Sequence, residues 1–428
     1  MMDSHERGLK QSIDWPLVIT WLLLVIIGWV NIYASVHSAT SPDLTSRPEK
    51  QLIWIGTSII LALIILFVFR PRLWEVISTP AYVAVVALLY LVIFIGTDIK
   101  GSRSWIQFGP VSFQPAEISK ITTSLALAAL LSRFNFKMTS FRNVVTVLAL
   151  IGIPALGILL EKETGSMLVY VGFLFVLYRE GMSGWYLAFV GLAILLFILT
   201  LTTPGWVPFA FLGVAVLIYY IMARRRGART SFLAKRRLLI YCIAVLIGGA
   251  ALIFSTDFAF NNILQDHQRK RIEVLLGLKE DPSGVGYNVN QSMIAIGSGG
   301  FGGKGYLKGT QTSFGFVPEQ STDFIFCTVG EEWGFIGCLV VILLYVFLIG
   351  RIIVDAESSR EPFTRIYGYC VASCIFMHLF INIGMTIGLM PVIGIPLPML
   401  SYGGSSLWAF TIMLFIFIAL NKQENKYF

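Results

Sequence analysis

The stretch QLIWIGTSIILALIILFVFRPR, residues 51–72, carries no charged residue from Gln51 to Phe69 and then ends on Arg70-Pro71-Arg72. A bilayer crossing needs about 20 predominantly apolar residues in a row. Lys and Arg gather on the cytoplasmic flank of such crossings. This stretch therefore predicts a membrane span and assigns one of its ends to a side. Outward from it, further apolar runs fall at roughly 16–36, 80–96, 116–132, 144–160, 166–178, 185–202, 206–222, 238–255, 324–350, 366–390 and 398–420, about twelve in all. The composition agrees: 56% of the 428 residues are apolar and 13% charged, where a soluble domain carries about 25% charge. The expected fold class is an all-α polytopic membrane protein, read as one transmembrane domain over 1–428.

The polar start MMDSHERGLKQSID (1–14) runs into a full-length apolar run without a small-residue cleavage site, which predicts a retained span. Alternating the spans puts Arg70 and Arg72, Arg133, Lys137 and Arg142, Arg179, Arg224 to Arg237, and Arg351, Arg360 and Arg365 on one side. That side is read as the cytoplasm, with both termini in it. The loops at 37–50, 97–115, 256–322 and 391–399 then lie outside, and 256–322 is the one long extracytoplasmic loop. The net charge of +8 is spent on span ends, as in ARRRGARTSFLAKRR (223–237), so no nucleic-acid partner is expected. The five Cys sit inside apolar runs without zinc spacing and read as buried hydrophobes. The four His are scattered.

Polar strings interrupt this pattern. QPAEISK (114–120) opens a span, with Pro115 suited to the first turn and Glu117 and Lys120 neighbours on one face. The pair reads either as self-neutralising or as the edge of a polar cavity. In GSRSWIQFGP (101–110), Trp105 suits an interfacial anchor and the fork of Arg103 suits a phosphate. The three charges of EKETG (161–165) read as snorkelling side chains at a span end. IGSGGFGGKG (296–305) reads either as closely packed backbone or as a phosphate cradle with Lys304. Glu319 and Asp323 precede a span, and Glu331 and Glu332 lie about two turns into it, where they call for a cation or a polar pocket. GIPLPMLSYGGSS (394–406) breaks an apolar segment with prolines and glycines, which predicts a hinge or a cavity wall. EDPSGVGYN (280–288) sets Glu280 and Asp281 on a sharp polar turn in the outer loop.

Taken in order, the blocks at 105–120, 161–166, 281–287, 291–305, 322–337 and 391–406 resemble the SEDS family of shape, elongation, division and sporulation proteins, with RodA and FtsW as its elongation and division branches. The strings at 296–305 and 394–406 are more similar to the elongation branch. The resemblance implies a peptidoglycan glycosyltransferase that polymerises lipid II, the undecaprenyl-diphosphate-linked precursor, at the outer face of the bacterial cytoplasmic membrane. It implies a class B penicillin-binding protein as transpeptidase partner, with elongation-complex proteins nearby. It makes Asp281 the essential acidic residue, read as general base. Arg103, Trp105, Gln114, Glu117, Lys120, Lys304, Glu319, Ser401 and Tyr402 are the candidate substrate-binding residues. A divalent cation, Mg²⁺ or Mn²⁺, is expected with the diphosphates. The chain departs from the family in Glu163, where Asp is common, and in Ser321, where His is usual. Its span count exceeds the usual ten, which suggests a two-helix insertion within 180–255. The rival readings are a lipid II flippase, a division-branch polymerase and a scaffold; only a polymerase forms glycan.

Overall fold

The computed structural model describes residues 13–38, 42–99, 102–108, 111–226, 232–262, 269–270, 272–273, 276, 278 and 285–424. Helices follow the apolar runs. α1 (Trp15–Val36) begins where the Asp14 carboxylate accepts from the Leu17 amide at 3.1 Å, with Pro16 in the first turn. A one-turn α2 (Pro42–Thr45) leads into α3 (Arg47–Phe67), and α4 (Arg72–Ile95) follows the Arg-Pro-Arg break. The described residues within 97–113 are not plain loop. They form β1 (Thr97–Ile99), β2 (Ser102–Phe108) and β3 (Val111–Phe113), an antiparallel meander with Thr97 opposite Trp105 and Ile106 opposite Phe113. The all-α expectation is amended here, because Ser-Arg-Ser-Trp-Ile-Gln-Phe mixes β-favouring aromatic and branched residues with polar ones.

The chain continues with α5 (Pro115–Leu131), α6 (Phe141–Leu160), α7 (Thr164–Val169), a 3₁₀ turn (Tyr170–Gly172) and α8 (Phe173–Arg179). Then come α9 (Gly184–Thr202), α10 (Trp206–Arg226), α11 (Phe232–Asn262), α12 (Val285–Ser298), α13 (Ile325–Ser358), α14 (Pro362–Thr386) and α15 (Gly404–Glu424). Among the described residues, ten helices are long and apolar enough to cross a membrane. Two of the apolar runs fall short of that length. Run 116–132 gives α5, of 17 residues, and run 166–178 is split between α7 and α8. At the split the Ser373 hydroxyl donates to the Gly172 carbonyl, so that carbonyl is engaged outside the regular helix ladder.

Two compact units result, Met1–Met182 with Tyr287–Phe428, and Ser183–Gly286. In the first, α5 and α14 are buried along nearly their whole length. Small Ser, Thr and Ala side chains let α5 lie close against its neighbours α4, α6, α14 and α15. α3 meets α15 through Trp54 and Trp408, edge to face at 5.1 Å, and Trp408 Nε1 donates to Thr57 Oγ1 at 2.9 Å. In the second unit, α9, α10 and α11 share the small core Leu196, Leu212 and Ile253. Their outward faces expose Trp206, Tyr241, Ile247 and Phe254. Such apolar surface is stable against lipid and would aggregate in water. The chain is a multi-pass membrane protein.

The first unit has two polar ends. At one, Asp14 pairs with Arg351 (2.7 Å), Glu357 with Arg179 (2.7 Å) and Glu180 with Arg365 (3.0 Å). At the other, segments from 37–50, 256–322 and the region after α14 meet: Arg47 bonds Ser321, Gln320 bonds the Ser35 carbonyl, and Ser401 bonds the Thr322 carbonyl. These are the segments that the Lys/Arg bias groups together on the non-basic side.

Candidate active site

Between Thr386 and Gly404 the backbone is not helical, because Pro391, Pro396 and Pro398 remove donors and clash with a preceding turn. Backbone of this kind inside a membrane protein needs protein partners. Asn382 Nδ2 donates to the carbonyls of Ile395 (2.7 Å) and Asp323 (2.8 Å). Tyr345 Oη donates to the Pro398 carbonyl. Ser401 Oγ accepts from the Leu397 amide (2.8 Å) and donates to the Thr322 carbonyl (2.6 Å). The Tyr402 amide donates to the Ser321 carbonyl at 2.9 Å. Over the Tyr402 ring, at 5.3 Å, lies the Arg47 guanidinium, whose Nη1 also donates to Ser321 Oγ. Glu319, with φ 55°, accepts from Thr322 Oγ1 at 3.0 Å. The structure thus gathers Glu319, Ser401 and Tyr402 around the residues 321–322 and adds Arg47, which sequence reasoning passed over. Its signal was an Arg directly before the proline that starts a span.

Glu117 and Lys120 lie in α5, on the inward side, 3% and 1% exposed. Lys120 Nζ donates to Glu117 Oε1 at 2.8 Å and to His378 Nε2 at 2.9 Å, and sits 5.3 Å over the Phe410 ring. Gln114, the residue before α5, is also buried. His378 was missed as well; a lone ionisable group within an apolar span was the available signal.

IGSGGFGGKG docks on a kink in α13, where Gly334 leaves helical geometry at φ 64°. The amides of Lys304 and Gly305 donate to the carbonyls of Glu331 and Glu332, each at 3.0 Å. In return Phe335 and Ile336 donate to Gly300 (2.9 Å) and Phe301 (3.2 Å). The glycines are there for close approach: a Cβ on Gly299 would stand 2.0 Å from the Gly330 oxygen, and one on Gly303, at φ 79°, 2.1 Å from the Glu332 oxygen. Of the two open readings, packed backbone is the one observed. Glu331 is the anchor. It takes hydrogen bonds from Lys304 Nζ (2.7 Å), the amides of Thr310, Gln311 and Thr312, and the hydroxyls of Thr310 and Thr312. The cation that Glu331 called for is Lys304.

On the meander, Arg103 is exposed and Trp105 half-buried, its carbonyl accepting from Thr97 Oγ1 at 3.1 Å. Glu163 Oε1 accepts from both Ser102 and Ser104 hydroxyls at 2.8 Å. The snorkelling reading of 161–165 is corrected. Lys162 is exposed, but Glu161 is 1% exposed and neither of its carboxyl oxygens has a hydrogen-bond partner among the described residues. Burial first, and the nearby Glu163 charge second, push its pKa up to about 8. The turn after α6 folds under the meander, where the Ser102 hydroxyl reaches the Glu161 carbonyl at 3.0 Å. Glu280 and Asp281 lie outside the described residues.

The family model FTSW_RODA_SPOVE, described as cell cycle protein, matches residues 14–212 and 210–426. The chain belongs to this family. Among FtsW/RodA/SpoVE relatives it is 32% identical over 389 residues to "Peptidoglycan glycosyltransferase MrdB" of Escherichia coli (strain K12), covering 91% of this chain and 89% of that one. It is 31% identical over 440 residues to "Peptidoglycan glycosyltransferase RodA" of Treponema pallidum (strain Nichols), covering 98% and 99%. Among solved family folds, a chain from "Structural coordination of polymerization and crosslinking by a peptidoglycan synthase complex" superposes with TM-score 0.68 at 26% identity, covering 96% and 98%. The Thermus thermophilus rod shape determining protein RodA superposes with TM-score 0.59 at 23% identity, covering 96% and 97%, which bears on the fold alone.

Proposed function

We propose that this chain is a peptidoglycan glycosyltransferase that polymerises lipid II into β-1,4-linked glycan during cell elongation, on the outer face of the bacterial cytoplasmic membrane. The observation that carries this is similarity at 31% identity along 98% of the chain to a protein named as that enzyme. Asp281 takes the proton from the 4-hydroxyl of the acceptor GlcNAc. That oxygen attacks the anomeric carbon of the donor MurNAc, the bond to the diphosphate breaks, and undecaprenyl diphosphate leaves with inversion at carbon. A diphosphate is already a good leaving group, so one positioned base suffices, contributing about 10²–10⁴-fold.

The diphosphates need positive charge. Lys120 and Lys304 are each matched by a carboxylate, Glu117 and Glu331. Arg103, and Arg47 held by Tyr402 and Ser321, have no carboxylate partner among the described residues, and they are assigned to the phosphates. A Mg²⁺ or Mn²⁺ ion would neutralise diphosphate charge when bound. No group of three His, Cys, Asp or Glu side chains is gathered among the described residues, so these residues do not form a protein cage for it, and no step is assigned to the ion. The transpeptidase partner is a class B penicillin-binding protein, in keeping with the peptidoglycan synthase complex among the similar structures.

The test is polymerisation of purified lipid II in defined vesicles by the chain with its partner, read as glycan length on a gel. Wild type is expected to form polymer and Asp281→Ala none, at equal expression. Full activity in Asp281→Ala removes the base assignment, and lipid II translocation without polymer removes the enzyme in favour of a flippase.

A further inference from the structure

His378 is fully buried in α14, between two elements that carry candidate site residues. On one side is the Lys120 ammonium, 2.9 Å from Nε2. On the other is the carbonyl of Pro396, 3.1 Å from Nδ1. An ammonium can only donate and a carbonyl can only accept. One form of the ring satisfies both, the neutral imidazole with its proton on Nδ1. The neighbouring carbonyls of the broken segment are held in the same manner by Asn382 and Tyr345. His378 alone among these also touches the ion pair. Glu117 spends Oε1 on Lys120, and its Oε2 is buried without a hydrogen-bond partner among the described residues. The direction of that oxygen is set by Lys120, and the place of Lys120 by His378.

Resting on the glycosyltransferase reading, we propose that His378, as its Nδ1–H tautomer, is a positioning residue for glycosyl transfer. It holds Lys120, and through it the Glu117 carboxylate, in register with the broken segment at 391–403.

Gln and Asn separate its two contacts. The Gln oxygen replaces Nε2 as acceptor for Lys120; the Asn amide replaces Nδ1–H toward Pro396 and falls short of Lys120. In the lipid II assay, His378→Leu and His378→Asn are expected to lower kcat roughly tenfold or more with KM within about twofold. His378→Gln, which keeps the Lys120 contact and loses the one to Pro396, is expected to lose less of the rate than His378→Asn. His378→Leu combined with Lys120→Met is expected to lose less than the two single losses added together, since both remove the Lys120–His378 hydrogen bond. Full activity in His378→Leu, a surviving Asn variant beside a failed or unpurifiable Gln variant, or additive losses would each overturn the proposal. ¹⁵N NMR of histidine-labelled protein, with the signal assigned by its loss in His378→Gln, reads the tautomer without any turnover. A charged ring, or one protonated on Nε2, overturns the proposal. Absence of polymer from wild type instead strikes the glycosyltransferase reading.

Discussion

At the scale of single residues, Glu161 shows what burial does to a group that sequence treats as surface. Its folded pKa of about 8 stands above the ordinary carboxylate value of 4.5. The folded chain therefore binds a proton that the unfolded chain has released between those values. Stability from this group is full below about pH 4.5 and is lost as pH rises through about 8. Glu161→Gln keeps the shape without the charge, so it is expected to melt higher than wild type in detergent at pH 9, with the gap narrowing toward pH 5. A gap that does not change with pH would show that the carboxyl is solvated. Glu163, two residues on, has the opposite surroundings, with two hydroxyls donating to it. The string EKETG displayed the charges; which of them is buried depends on a meander that lies some 60 residues earlier in the chain.

At the scale of elements, the glycine loop and the kink in α13 are one construction. A helix kinked at Gly334 leaves backbone groups near the kink, and the loop supplies four hydrogen bonds to them. Gly299→Ala or Gly303→Ala would drive a methyl into a carbonyl oxygen and is expected to lower thermal stability by several degrees. Gly302, with open space around its Cβ position, is the control, and Gly302→Ala is expected to melt like wild type. Equal melting of all three would mean that the loop is not docked in the membrane. Sequence showed the glycines and left two readings open. Only the partner strand of backbone, from α13, distinguishes packing from anion binding, because spacing between glycines is the same for both.

At the larger scale, segments of three of the loops grouped by Lys/Arg bias meet at one end of the first unit, and the basic ion pairs Asp14–Arg351, Arg179–Glu357 and Glu180–Arg365 lie at the other. The two exposed positions Lys308 and Arg360 report on these ends. A membrane-impermeant maleimide is expected to label Lys308→Cys in intact cells and Arg360→Cys only after permeabilisation; the reverse pattern would invert the topology. The sequence by itself determined the membrane class, the helical runs and the family, because lipid imposes length and polarity rules that act on contiguous residues. The tertiary structure decided which of those residues act together. It paired Lys120 with Glu117 and His378, set Arg47 on Tyr402, and turned Lys304 to Glu331. Lys120 and His378 are 258 positions apart and Arg47 and Ser321 are 274. Buried charges must find partners, and a helical bundle brings those partners together by packing rather than by order along the chain.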